Sequence, residues 1–218
     1  MDQRPIFLGG QGGLIGPVRM EYGVTVGAGS MVRKDILSAN QIHIPKPMTE
    51  LSQPNNGRAL YFSIDRKLRN NLIYIGNLIA LKHWYLNIRK PLMAGDDFSR
   101  ACFDGALTNL NGAIKERISR IGKFVDKLPD SIEQLGELEQ TEKLINRQKE
   151  LSKCWPDMVR SLEKLSSEPV SVPTPLTEAL ETNSSGYIAT VKAFSPEVKA
   201  AGVNWLQDMV DQAAAIWK

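Results

Sequence analysis

Hydrophobic residues recur every six positions near the start of the chain. Leu8, Leu14, Met20, Val26 and Val32 carry this spacing, and glycines are frequent between them. A fixed six-residue period is typical of parallel β-helices, in which each hexapeptide forms one short strand along a face of a prism. The aliphatic position points inward, and glycine supplies backbone conformations that a side chain would make costly at the corners. The pattern therefore predicts β-helix coils with these five side chains buried.

The glycine-rich run over residues 9–13 has a second interpretation, as a loop that binds phosphate. It lacks the Gly-Lys-Ser/Thr ending of a P-loop and the Gly-x-Gly-x-x-Gly spacing of a dinucleotide-binding fold. Because the six-residue period and the glycine positions both fit β-helix coils, the sequence favours strands over a phosphate-binding loop.

The six-residue spacing of apolar residues ends after Asp35. Prolines, asparagines and glycine cluster between residues 38 and 57, which predicts a linker. From about residue 58 the apolar positions recur at three and four, the spacing of amphipathic helices. We therefore expect coils over residues 1–37, a linker over 38–57 and a helical domain over 58–218 with a break near 168–176.

The first predicted helix runs from Arg58 to about Arg89, with Pro91 just beyond its end. A second helix is expected from about Asp97 to Lys127. Four such helices make the last three quarters of the chain an expected all-helical bundle.

The remaining two helices are placed by capping residues and prolines. Asp130 or Ser131 is expected to cap a third helix, which Pro156 should kink or split. The last helix is predicted to begin with Ser195 as N-cap and Pro196 at its first position, and to continue to the C-terminus.

The run from Gly16 to Ile36 resembles the last coils of the acetyltransferase domain in bifunctional N-acetylglucosamine-1-phosphate uridylyltransferase/glucosamine-1-phosphate acetyltransferases. It is equally similar to the tails of related sugar-phosphate nucleotidyltransferases. The resemblance covers only residues 6–36 and implies a left-handed β-helix. The expected fold class is therefore mixed: a short left-handed parallel β-helix remnant followed by a mainly α-helical bundle. Since the hexapeptides are too few for several coils, we expect Met1 to lie inside a longer protein or at a truncated start, unless the helices cap the short coil.

The resemblance implies that Gly10 and Ala28 lie at coil corners against acetyl-coenzyme A. It implies no catalytic residue here, because the family's catalytic histidine and sugar-phosphate ligands precede the matching coils. We therefore expect no uridylyl or acetyl transfer by the chain alone.

Two functions follow as hypotheses. The chain is either the C-terminal part of a nucleotidyltransferase/acyltransferase-like protein, with a sugar nucleotide or coenzyme A as ligand, or a non-catalytic structural or oligomerisation module. The resemblance also implies a homo-oligomer, most simply a trimer. The first helix is expected wholly or partly at the interface, because Ile73, Tyr74 and Leu81 lie away from its main apolar stripe.

The first predicted helix is basic and also carries aromatic residues. Its cations either hold an anionic ligand such as a nucleotide phosphate or form a solvated face. His43 and His83 lie 40 positions apart without an adjacent carboxylate, which favours structural roles. The basic residues are Arg58, Arg66, Lys67, Arg69, Lys82, Arg89 and Lys90.

Charge, cysteine content and hydropathy limit the classes of protein to which the chain can belong. A net charge of +3 is too small to indicate nucleic-acid binding. Cys102 and Cys154 have no second cysteine at metal-binding spacing, so we expect reduced thiols in a cytoplasmic protein and no metal site. The sequence shows neither a signal peptide nor an apolar run long enough to span a membrane.

Overall fold

The structure is a computed structural model that describes residues 3–46, 52, 60–93, 95–137, 141–182 and 186–217. The chain divides into two compact units, Met1–Gly57 and Arg58–Lys218. We call them the β unit and the helical unit.

The β unit contains short parallel strands. Two small sheets form, with the strand orders β1-β3-β5 and β2-β4. Phe7 pairs with Thr25, and Gly13 pairs with Met31. An isolated parallel bridge joins Met20 to Ile36. The strands are β1 (Phe7–Leu8), β2 (Gly13–Leu14), β3 (Thr25–Val26), β4 (Met31–Val32) and β5 (Ile42–His43).

The prediction of a left-handed β-helix is wrong. Each strand has only two residues, and the described residues of this unit form no solenoid. Val26 and Val32 are buried as expected, but Leu8 and Leu14 are 49% and 47% exposed. The physical reason is that a repeat cannot bury its apolar face without enough neighbours. The chain has a mainly helical fold, and the transferase assignment, which depended on the β-helix, is not retained.

One close backbone approach explains a glycine in the β unit. A Cβ at Gly9 would lie 2.4 Å from the backbone nitrogen of Ala28, closer than real Cβ contacts. Gly29 N also donates a hydrogen bond to Gly10 O at 2.8 Å. The turn after β1 therefore packs directly on the turn after β3.

The helical unit contains seven α-helices within its described residues. The first continues without interruption into a π-helical turn, Tyr85–Arg89. The helices are α1 (Ile64–Trp84), α2 (Asp97–Val125), α3 (Leu128–Gly136), α4 (Glu142–Ser167), α5 (Thr174–Glu181), α6 (Tyr187–Ala193) and α7 (Pro196–Ala215).

Sequence patterns placed some of these helices correctly. The second and last predicted helices are confirmed as α2 and α7, and the Ser195 side chain accepts a hydrogen bond from Val198 N as an N-cap. The first helix begins at Ile64 instead of Arg58, which lies outside the described residues. Of the residues before it, 60, 61 and 63 are in no regular element and 62 is a bend.

The third predicted helix is wrong in its boundaries. Two helices, α3 and α4, occupy this stretch, and Pro156 lies inside α4 without splitting it. Ser131 does not cap a helix: it is buried, and its Oγ accepts a hydrogen bond from Tyr61 N at 3.2 Å. Because Pro129 fits the first turn, α3 begins earlier than predicted.

The core of the helical unit surrounds α1, which packs most extensively against α7 and also contacts α2 and α4. Gly76 lies at the crossing with α7, where a Cβ would come 2.8 Å from the Cα of Val210. Leu68, Leu72, Ile75 and Ile79 form the buried stripe of α1. The first predicted helix is thus the central element of its unit.

Candidate functional site

The two residues predicted to contact coenzyme A lie in neighbouring turns of the β unit. Gly10 and Ala28 are both exposed. A Cβ at Gly10 would meet no atom within 4 Å, so its backbone is open to approach. Their role toward a cofactor stays a prediction.

The basic residues of the first predicted helix do not form one anion site within the described residues. Lys67 Nζ lies 4.8 Å from the ring centroid of Tyr61 and 4.7 Å from that of Phe124. Lys82 instead bonds to the end of α4, and Arg89 lies against two tyrosine rings. The cations are therefore divided among separate local contacts.

Lys82 and His83 belong to α1, and their side chains contact the C-terminal end of α4. Lys82 Nζ donates hydrogen bonds to the backbone oxygen of Ser166 at 2.8 Å and to its Oγ at 3.3 Å. The Nε2 atom of His83 lies 3.4 Å from the oxygen of Leu165. Since the last carbonyls of a helix lack intrahelical partners, these side chains act as a C-terminal cap of α4.

Burial changes the titration of both capping groups. It lowers the pKa of Lys82, and the nearby charge of Lys115 lowers it further. Burial also lowers the pKa of His83; the hydrogen bond to the Leu165 carbonyl opposes this shift, and the charge of Lys82 adds to it. The neutral form of His83 is therefore favoured in the folded chain.

A second polar cluster joins α1, α4 and the C-terminus. Arg147 Nε donates to Asp65 Oδ1 at 2.8 Å, and a terminal guanidinium nitrogen of Arg147 donates to Glu150 Oε2 at 2.7 Å. The Trp217 ring stacks on the guanidinium at 3.9 Å, and its Nε1 donates to Asp65 Oδ1 at 2.6 Å. Burial acts to lower the pKa of Arg147, but the hydrogen bonds and charges of the two carboxylates outweigh it and raise the pKa. The Arg147 charge is thus compensated internally.

An open groove of about 500 Å³ lies beside this cluster, between the start of α1 and the first turns of α4. Its wall mixes carboxylates, cations and apolar side chains, so its chemistry does not favour one class of ligand. The lining residues are Phe62, Ile64, Asp65, Glu142, Lys143, Leu144, Asn146, Arg147 and Glu150.

Arg89, the last residue of the π-helical turn, is an exposed cation that lies against two aromatic rings. Its guanidinium carbon lies 5.0 Å from the ring centroid of Tyr85 and 4.9 Å from that of Tyr187. Tyr187 is held in turn by Trp84, whose Nε1 donates to the tyrosine hydroxyl at 3.0 Å. We call Trp84, Tyr85, Arg89 and Tyr187 the Arg89 surface, and it is the candidate binding site of the helical unit.

Sequence analysis missed Tyr187 and the α6 helix that carries it. The available signal was Gly186, which precedes the helix with a φ of +83°. Trp217 was also missed as a partner of Arg147. Neither pairing follows from local patterns, because the partners are far apart in the chain.

Among the described residues, no group of three or more histidine, cysteine, aspartate or glutamate side chains could hold a metal ion. None of the described helices combines the length and hydropathy that a membrane crossing needs.

The chain matches no protein-family model, no curated protein and no solved structure.

Proposed function

We propose that the chain is a non-catalytic structural module that assembles with further copies of itself through the β unit. The observation that carries this proposal is a contrast between paired strands. Leu8 and Leu14 are 49% and 47% exposed, whereas their register partners Val26 and Val32 are 4% and 1% exposed. The same kind of side chain is thus buried in one strand and uncovered in its neighbour.

The uncovered side chains are concentrated at strand edges. β1 and β5 are the two outer strands of their sheet, and Phe7 and Ile42 on them are 61% and 76% exposed. Unpaired strand edges are templates for pairing with another chain. Large exposed apolar patches are typical of protein interfaces. A second copy of this unit presents the same apolar edges and is therefore a suitable partner.

Helix α1 offers less surface for assembly than its sequence suggested. Ile73 packs against a buried cluster within the helical unit. Tyr74 and Leu81 remain exposed on α1, at 42% and 44%. Because α1 is already covered by other helices of its own chain, the β unit is the better interface.

Light scattering on the purified chain at micromolar concentration tests this proposal. We expect a mass that is a multiple of 24.2 kDa for the unmodified chain. The double variant Leu8→Asp/Leu14→Asp should shift this mass toward the monomer, because charged side chains oppose burial in an apolar interface. The predicted trimer is one stoichiometry that this measurement resolves.

The control replaces an apolar residue that is equally exposed outside the β unit. Val203 in α7 is 65% exposed, so Val203→Asp should leave the assembly unchanged. A monomeric mass for the unmodified chain would refute the proposal. Equal dissociation by Val203→Asp would show that the β unit is not the specific interface.

A further inference from the structure

The Arg89 surface is built on a rare backbone feature. Lys90 N donates to Tyr85 O at 2.9 Å, the wider hydrogen bond of a π-helix. Short π-helical segments are often found at functional sites. Arg89 follows Tyr85 by four positions within this turn, and its guanidinium donates weakly to the Tyr85 hydroxyl at 3.4 Å.

The two tyrosine rings orient the Arg89 guanidinium without neutralising it. Arg89 is exposed, and no described carboxylate forms an ion pair with it. This differs from Arg147, whose charge is compensated by Asp65 and Glu150. An arginine that is already held in place loses less conformational freedom when it binds a partner.

The surroundings of Arg89 combine positive charge with apolar area. Lys90, the next residue in the chain, is exposed, and the rings of Tyr85 and Tyr187 belong to residues that are only partly buried. Arginine, tyrosine and tryptophan are enriched among the residues that contribute most to protein interfaces. The guanidinium matches a carboxylate in charge and in paired hydrogen-bond geometry.

We infer that the Arg89 surface binds an acidic segment of a partner protein, one that carries a carboxylate next to an aliphatic side chain. The carboxylate pairs with the guanidinium edge that the tyrosine rings leave open. The aliphatic side chain packs on the exposed parts of the tyrosine rings. A free small anion gains little here, since charge pairing at an exposed site is weak in water.

Fluorescence anisotropy on the full chain tests this inference. The probe is a fluorescein-labelled peptide in which glutamate and leucine are set among glycine and serine. A matched peptide with lysine in place of glutamate serves as the comparison. We expect saturable binding of the acidic peptide below about 1 mM, and no binding of the basic one in that range.

Variants at Arg89 separate recognition from general charge attraction. Arg89→Gln should weaken binding at least about tenfold, because it removes the charged paired donors. Arg89→Lys should restore only part of the affinity, since a lysine does not stack or pair in the same geometry. Arg69→Gln removes another exposed cation of α1 and should leave affinity unchanged.

Several results would overturn the inference. These are no binding of the acidic peptide, equal binding by Arg89→Gln, or an equal loss with Arg69→Gln. Displacement of the peptide by inorganic phosphate at about 1 mM would also contradict it, because it would indicate a site for free anions. Circular dichroism of each variant confirms that the helices are intact. The site lies in the helical unit, so it can be tested whether or not the β unit self-associates.

Discussion

Adding one methyl group at Gly76 should destabilise the helical unit, although alanine is the better helix former. A Cβ there would lie 2.8 Å from Val210 Cα and 3.0 Å from Ala213 Cβ. The first of these is a backbone atom of α7, so it cannot move without shifting the helix. Alanine gains about 1 kcal/mol over glycine in a helix interior, and overpacking costs about 1–3 kcal/mol. With a rigid neighbour we place the cost at the upper end and expect a net loss of about 1–2 kcal/mol.

Other helical glycines provide matched controls for Gly76→Ala. Gly105 and Gly112 in α2 would meet no atom within 4 Å, so alanine there should stabilise the unit by up to about 1 kcal/mol. Gly202 in α7 is buried, but its added Cβ would make ordinary contacts of 3.6 Å with Leu176. Alanine at Gly202 should therefore be neutral or stabilising.

Thermal unfolding followed by helical circular dichroism distinguishes these cases by sign. The Tm of Gly76→Ala should fall by about 2–4 °C per kcal/mol lost, whereas that of Gly112→Ala should rise. A rise for Gly76→Ala that equals the rise for Gly112→Ala would refute the close crossing of α1 and α7.

Three further predictions concern buried or capping groups. Burial lowers the pKa of His83 from its usual 6.5, so the unfolded chain binds a proton more readily than the folded chain. The free energy of unfolding should therefore fall as the pH drops below 6.5. In urea titrations at several pH values, the free energy of unfolding of His83→Gln should depend less on pH than that of the unmodified chain. Gln148 is fully buried, and its Nε2 donates to Tyr61 O at 2.7 Å; Gln148→Ala should lower the urea-derived free energy of unfolding by about 2 kcal/mol, because it leaves that carbonyl unpaired. Ser195→Ala should cost about 1 kcal/mol by the same measurement, and Ser195→Asp should retain most of the stability since it keeps an acceptor for Val198 N.

Local patterns determined the helices whose first turn is capped by a short polar side chain. Asp96 and Ser195 have short polar side chains that accept hydrogen bonds from the first turns of α2 and α7. These interactions span three residues, so the sequence alone contains them. The break between α3 and α4 was missed, and Pro156 was overestimated, because tertiary packing can outweigh the local preference of a residue.

Only the tertiary structure decided whether the six-residue period becomes a β-helix and which cations form a site. Leu8 and Val26 have equivalent places in the period, yet one is exposed and the other buried because burial depends on how many strands lie alongside. Arg89 and Tyr187 meet only because α1 and α6 pack in one unit. The spacing of apolar residues indicates which side of a helix or strand is apolar. Contacts between elements that are distant in the chain depend on how those elements pack. For this reason the sequence could indicate a basic, aromatic helix, whereas the structure was needed to single out Arg89 on it.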